Sequence, residues 1–138
     1  MPVPLPDVPI RKAAIKMAQR NEIAAVYAAG LVQGIALVTF PAAGAIFTSA
    51  ANYNLSSTEY GTIFLPQAVT AVISALAGGK LIHAFGLKRV FLLGLLADLA
   101  AMSLLLVSAS FMHQHQLAFG VLLAATACMG IAFGLTVP

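Results

Sequence analysis

Charged side chains are missing from almost the whole length of this chain. No Asp, Glu, Lys or Arg occurs between Ile23 and Thr58 or between Tyr60 and Gly79, and after Arg89 the only one is Asp98. A helix that crosses the hydrocarbon of a bilayer needs about 20 predominantly apolar residues, and each of these runs reaches that length. Composition points the same way. Of 138 residues, 61% are hydrophobic and 8% charged, against about 45–50% and about 25% in soluble domains. So small a domain has too much surface per unit volume to hide that much apolar material from water. The same excess excludes a disordered chain. The expected fold class is all-α integral membrane, with the lipid bilayer as its first partner.

Turn chemistry divides the apolar runs. Asn52-Tyr53-Asn54-Leu55-Ser56-Ser57-Thr58, Lys80 to Arg89, and Met112-His113-Gln114-His115-Gln116 separate four spans, predicted near 23–49, 57–79, 88–110 and 117–138. Ser56 and Glu59 have the spacing of a capping box that opens the second span. Pro41 and Pro66 remove helix hydrogen bonds to residues 37 and 62 and should kink the first two spans. The runs are too long, and too rich in Ala, Leu and Gly, for the ten-residue alternation of a membrane barrel. Two domains follow: residues 1–21, a proline-rich and basic arm, and residues 22–138, a four-helix transmembrane bundle. In the arm, Pro2, Pro4, Pro6 and Pro9 favour an extended segment without the order of a secretory signal. Beyond it, Lys12, Lys16 and Arg20 share one helical face, and Ile10, Ala13, Ala14 and Met17 the other. That pattern fits a short helix at the bilayer interface or a solvated basic leader.

All seven Lys and Arg lie in the arm or between the second and third spans. Basic segments stay on the cytoplasmic side. A multi-pass protein of the cell (plasma) membrane with a cytoplasmic N-terminus is therefore expected. The bases flank apolar runs instead of alternating with aromatics, so no nucleic acid partner is expected. Cys128 is the single cysteine, which leaves neither a disulfide framework nor a zinc site. His113 and His115 are two potential metal ligands on a short polar segment, too few for a site. With no nucleophile–base pair, phosphate loop or metal cluster in the sequence, no enzymatic activity, cofactor or bound metal is expected.

The segment Gly79-Lys80-Leu81-Ile82-His83-Ala84-Phe85-Gly86-Leu87-Lys88-Arg89 resembles a signature of the major facilitator superfamily. That signature, Gly-x-Leu-x-Asp-Arg-x-Gly-Arg-Lys/Arg-Arg, lies at the cytoplasmic turn between the family's second and third helices. Gly79, Leu81, Gly86, Lys88 and Arg89 match in register. His83 stands where the family has Asp, Ala84 where it has Arg, and Leu87 replaces one base. Thr39-Phe40-Pro41, Tyr60 to Pro66 and Gly130 to Pro138 are also similar to the corresponding helices. The resemblance covers about residues 23–138. It implies the first four helices of a twelve-helix transporter, a chain continuing past Pro138, and solute movement by alternating access between two bundles. His83 cannot make the charged bond by which the family's Asp locks a helix of the other half.

Within the spans, Asp98 is the most informative residue. It lies about 15 Å along a helix from Lys88, near the bilayer centre. A central Asp costs about 2.5–3.5 kcal/mol on the insertion scale, and the Leu, Val and Phe of its span return about 3–7 kcal/mol. The span inserts, and its carboxyl must face protein or water. Asp98 is thus a candidate proton relay with H+ as coupling ion, or a structural acid tying two helices together. Gln33, Thr39, Gln67, Thr70 and Thr126 are the candidate path for an unknown small solute, the resemblance implying that helices one and four line it. Each could instead be an interhelical hydrogen bond. Gly30-x-x-x-Gly34 and Gly130-x-x-x-Gly134 should let helix backbones approach closely within the bundle. The expected function is secondary-active transport, completed by the remaining transporter helices. The alternative is a small four-helix membrane exporter or assembly subunit that oligomerises with a second copy.

Overall fold

A computed structural model describes residues 9–136, with side chains from Lys16 onward. The extended proline-rich stretch expected over 1–8 lies outside the described residues. The helices are α1 (Pro9–Ala42), α2 (Gly44–Thr48), α3 (Ser57–Thr62), α4 (Phe64–Phe85), α5 (Leu87–Ala109) and α6 (His115–Thr136). No strand occurs among the described residues. Four segments are long and apolar enough to cross a membrane: Lys16–Thr48, Ser57–Phe85, Leu87–Ala109 and His115–Thr136. The regular structure of the described residues is therefore all helical, with four candidate membrane spans among them.

Two units divide the chain, one up to Gly34 and one from Ile35. In the first, α1 is unbroken through Asn21 and Glu22. The separate interfacial helix expected over 10–21 is instead the beginning of α1, because no Gly or Pro lies between Ile10 and Ala29 to stop it. Gly30 and Gly34 lie about one turn apart on α1.

In the second unit, both Pro41 and Pro66 lie within a few residues of a helix boundary. Pro41 lies in the last turn of α1, which ends one residue later. Pro66 has no N–H to donate to Thr62, and α3 gives way to α4 at Ile63, beside that missing bond. The capping box forms as expected: Glu59 N donates to Ser56 Oγ, and Ser56 N donates to the Glu59 carboxylate at 2.8 Å. The predicted edges need one correction. Lys80 to Phe85 is not a loop but the last turns of α4, and the chain reverses at Gly86 alone. Gly86 has φ 84° and ψ 149°, a region open essentially only to glycine.

Around α6 the packing is close. Its buried residues Ala118, Leu122, Ala125, Met129 and Ala132 form one stripe, and Thr126, Gly130 and Gly134 another. The second stripe meets α4, where a Cβ on Gly134 would come within 2.7 Å of Ser74 Cβ and 2.9 Å of Ala75 N. The first faces α5, whose Gly94 lies against Ala132, Leu135 and Thr136. Thus α6 runs parallel to α4 and antiparallel to α5, between the two. An aromatic cluster closes one end of this unit. Phe47 stands 5.2 Å from Tyr53, edge-on, and 6.2 Å from Phe40, while Tyr60 stands 5.4 Å from Phe64.

Candidate functional site

Burial on α5 repeats at helical spacing: Val90, Gly94, Asp98, Ala101 and Ser108 are its buried residues. Because Gly94 touches α6, this stripe is the α6-facing side, and it carries Asp98 inward. Asp98 is only 4% exposed. Its Oδ1 is buried and has no hydrogen-bond partner among the described residues. An unpaired carboxylate oxygen away from water is costly. The group must carry a proton or meet a donor beyond the described residues. In a spanning helix, such an acid marks a site of chemistry or of assembly more often than passive packing.

The candidate path residues divide by what their polar atoms do. Thr39 donates to Ile35 O at 2.8 Å, within its own helix. Thr126 is fully buried and lies 3.0 Å from Leu123 O and 3.1 Å from Leu122 O, again on its own helix. Thr70 Oγ1 lies 2.7 Å from Pro66 O and 2.9 Å from Ala127 O. It therefore joins α4 to the backbone of α6. Gln67 is half-buried one turn earlier. It lines an open groove of about 330 Å³ with Leu37, Phe64, Ala68, Ala71 and Phe133, where its amide can donate and accept. Gln33 is half-buried on α1, in the other unit.

The α4–α5 turn gathers the basic residues. Gly79, Lys80, His83, Gly86, Lys88 and Arg89 are exposed and Leu81 is half-buried. Lys80 and His83 lie on the last two turns of α4, with Lys88 and Arg89 on the first turn of α5. Long basic side chains can run from such helix ends toward a headgroup layer while their stems stay on apolar surface.

A second polar cluster occupies the opposite end of α4 and α5. His115 Nε2 stands 2.9 Å from Glu59 Oε1, and His115 Nδ1 stands 3.3 Å from the Tyr53 carbonyl. Tyr53 is buried and its hydroxyl meets Ser108 Oγ at 2.8 Å. The 50–58 connection is thereby tied to both α5 and α6. Sequence reasoning placed Glu59 only as a cap, and His115 in a loop where it and His113 were two potential metal ligands, too few for a site. The signal available was topological. In an up-and-down chain the 50–58 and 111–116 segments share a face, and Glu59 and the two histidines are the titratable charges there.

Among the described residues no group of three or more His, Cys, Asp or Glu is placed to hold a metal ion. No protein-family model, curated protein or solved structure matches this chain.

Proposed function

We propose that this chain is part of a secondary-active transporter of the major facilitator type, moving a small solute by alternating access with H+ as the coupling ion. The observation that carries the reading is Asp98: an acid on the helix-facing side of a candidate membrane span, with an oxygen that nothing in the described residues satisfies. A coupling proton needs such a group, shielded from bulk water and lacking a permanent counter-ion. The sequence of the α4–α5 turn supports the family, since Gly79, Leu81, Gly86, Lys88 and Arg89 stand in the register of its signature. Gln67 beside its groove is the polar contact offered to a solute. On this reading the turn and the basic arm face the cytoplasm across the plasma membrane, and the remaining transporter helices complete the site.

The test is solute-driven proton flux. Proteoliposomes holding the protein made from its full reading frame, with a pH-reporting dye inside, are challenged with a panel of sugars, organic acids and cationic drugs. One class of solute should move protons in wild type, and Asp98→Asn should abolish the pH dependence of that movement. Unchanged pH dependence in the variant counts against the relay. Residues 1–138 alone should give no uptake, and robust uptake by them would favour the small oligomeric exporter.

A further inference from the structure

The transport reading makes no use of the contact between Glu59 and His115, and the properties of that contact are independent of transport. Both side chains are open to solvent, at 35% and 43% exposure respectively. They lie at the outermost turns of the candidate spans Ser57–Phe85 and His115–Thr136, ahead of the apolar stretches that begin at Phe64 and Leu117. Bulk pH on that side therefore reaches them.

The geometry favours the doubly protonated ring. The Tyr53 carbonyl and the Glu59 carboxylate are both acceptors, and each faces one ring nitrogen, at 3.3 Å and 2.9 Å. Neutral imidazole has a single N–H. It could serve one acceptor and would turn a lone pair on the other. Only the imidazolium satisfies both. The carboxylate is itself held in place, because Ser56 N and Ser56 Oγ each lie 2.8 Å from Glu59 Oε2. The start of α6 does not favour a cation, since a helix N-terminus carries partial positive charge. The two acceptors that face the ring are what favour a second proton on it, the Glu59 carboxylate first and the Tyr53 carbonyl second.

Within residues 35–136 the other titratable groups facing this ring can be named. On α3 there is Glu59. On the 50–56 connection there is Tyr53, whose hydroxyl is engaged by Ser108. On the 110–114 connection there is exposed His113. Asp98 lies about 15 Å away along α5 from Ser108, and Lys80, Lys88 and Arg89 lie at the far ends of α4 and α5.

We propose that Glu59, His115 and the Tyr53 carbonyl form a proton-controlled latch, which fastens the Tyr53–Ser56 segment and α3 to the start of α6 while the ring carries both protons and releases them when it is neutral. When the ring lets go, the segment keeps only its own backbone pairing and the buried Tyr53 side chain. Its backbone is anchored by Asn54 N to Ser49 O at 3.0 Å and Leu55 N to Phe47 O at 2.9 Å, and Asn54 sits at φ 51°.

The experiment follows ring 15N signals of His115 and His113 in the full chain in lipid nanodiscs, from about pH 5 to about pH 9, across the ordinary titration of imidazole. Amide exchange at Asn54 and Leu55 is read in parallel, corrected for intrinsic pH dependence. In wild type, His115 should keep its second proton to higher pH than a free imidazole, and protection of the two amides should fall through the His115 midpoint. In Glu59→Gln, which can retain the cap, the His115 midpoint should fall and the pH step in protection should fall with it. A wild-type His115 midpoint no higher than that of a free imidazole, or protection without a step, overturns the latch. The wild-type titration decides the matter even if the variant does not fold. Solute flux is not measured, so the outcome is separable from the transport reading.

Discussion

Single residues carry the tightest packing in this molecule, and two of them are glycines on α6. Gly130 and Gly134 bring the α6 backbone onto Gln67, Thr70, Ala71 and Ser74 of α4. Between helices in lipid, such close approach is a main source of cohesion, because lipid tails are as apolar as the helices themselves. A larger side chain at Gly134 must push the helices apart. Gly134→Leu should destabilise the second unit by about 1–3 kcal/mol or more, the usual result of overfilling a packed seam, whereas Gly79→Leu, on an exposed position with open space, should not. Denaturant titration in mixed micelles checks this, and equal stability of the two variants would contradict the seam. The Gly130 and Gly134 pairing was readable from spacing alone, and so was the Ser56–Glu59 box, because both depend on residues within one turn or two of each other. The Glu59–His115 contact was not readable in that way. Its partners are 56 positions apart, and only the fold decides which connections share an end. Asp98 lies between these cases. Its depth follows from counting residues after Lys88, but the side of α5 it occupies follows from the α6-facing stripe of Val90, Gly94 and Ala101.

At the scale of elements, the sequence-based reading erred most where polarity was taken for loop. Lys80 and His83 interrupt an apolar run, yet nothing in Gly79 to Phe85 breaks a helix, and α4 continues through them. A polar residue at a membrane helix end marks the depth of the interface, not the end of the helix. The reversal falls instead to Gly86, with φ 84° and ψ 149° joining α4 to α5 in one residue. A side chain there is strained whatever space surrounds it. Gly86→Ala should cost about 1–3 kcal/mol, while Ala84→Gly two residues earlier, on the last turn of α4, should cost at most about 1 kcal/mol. Thermal unfolding of the two variants in one detergent gives the comparison. A Gly86→Ala protein as stable as wild type would mean that the turn relaxes into another conformation. The same reasoning explains why the edges of α5 and α6 were placed within two residues: Leu87 and His115 follow true breaks, a positive-φ glycine in one case and the turn from Ser110 to Gln114 in the other.

For the whole molecule, the crossing of the bilayer by α5 and the lopsided placement of charge in the second unit can be tested together. The second unit carries Lys80, Lys88 and Arg89 at one end of α4 and α5, and Glu59, His113 and His115 at the other. If cytoplasmic retention of bases sets the insertion, the Gly86 end is inside and the latch faces the external solution. That orientation also decides what the latch would sense, since external and cytoplasmic pH vary independently. A cysteine at Lys88 and another at Gln114, each introduced singly after Cys128→Ser, report it. Cys128 is half-buried on α6, and serine there is small enough to leave the packing intact. With a membrane-impermeant thiol reagent applied to intact cells, Gln114→Cys should label and Lys88→Cys should label only after the membrane is permeabilised. The reverse pattern would invert the protein and turn the latch toward the cytoplasm. Labelling of both from outside would remove α5 as a membrane span, and Asp98 would then be a buried acid of a peripheral helix with no part in moving protons across a bilayer. Because α5 connects the two labelled sites through a single stretch of 23 residues, about 35 Å of helix, opposite accessibility at its two ends is what a crossing of about 30 Å of hydrocarbon demands.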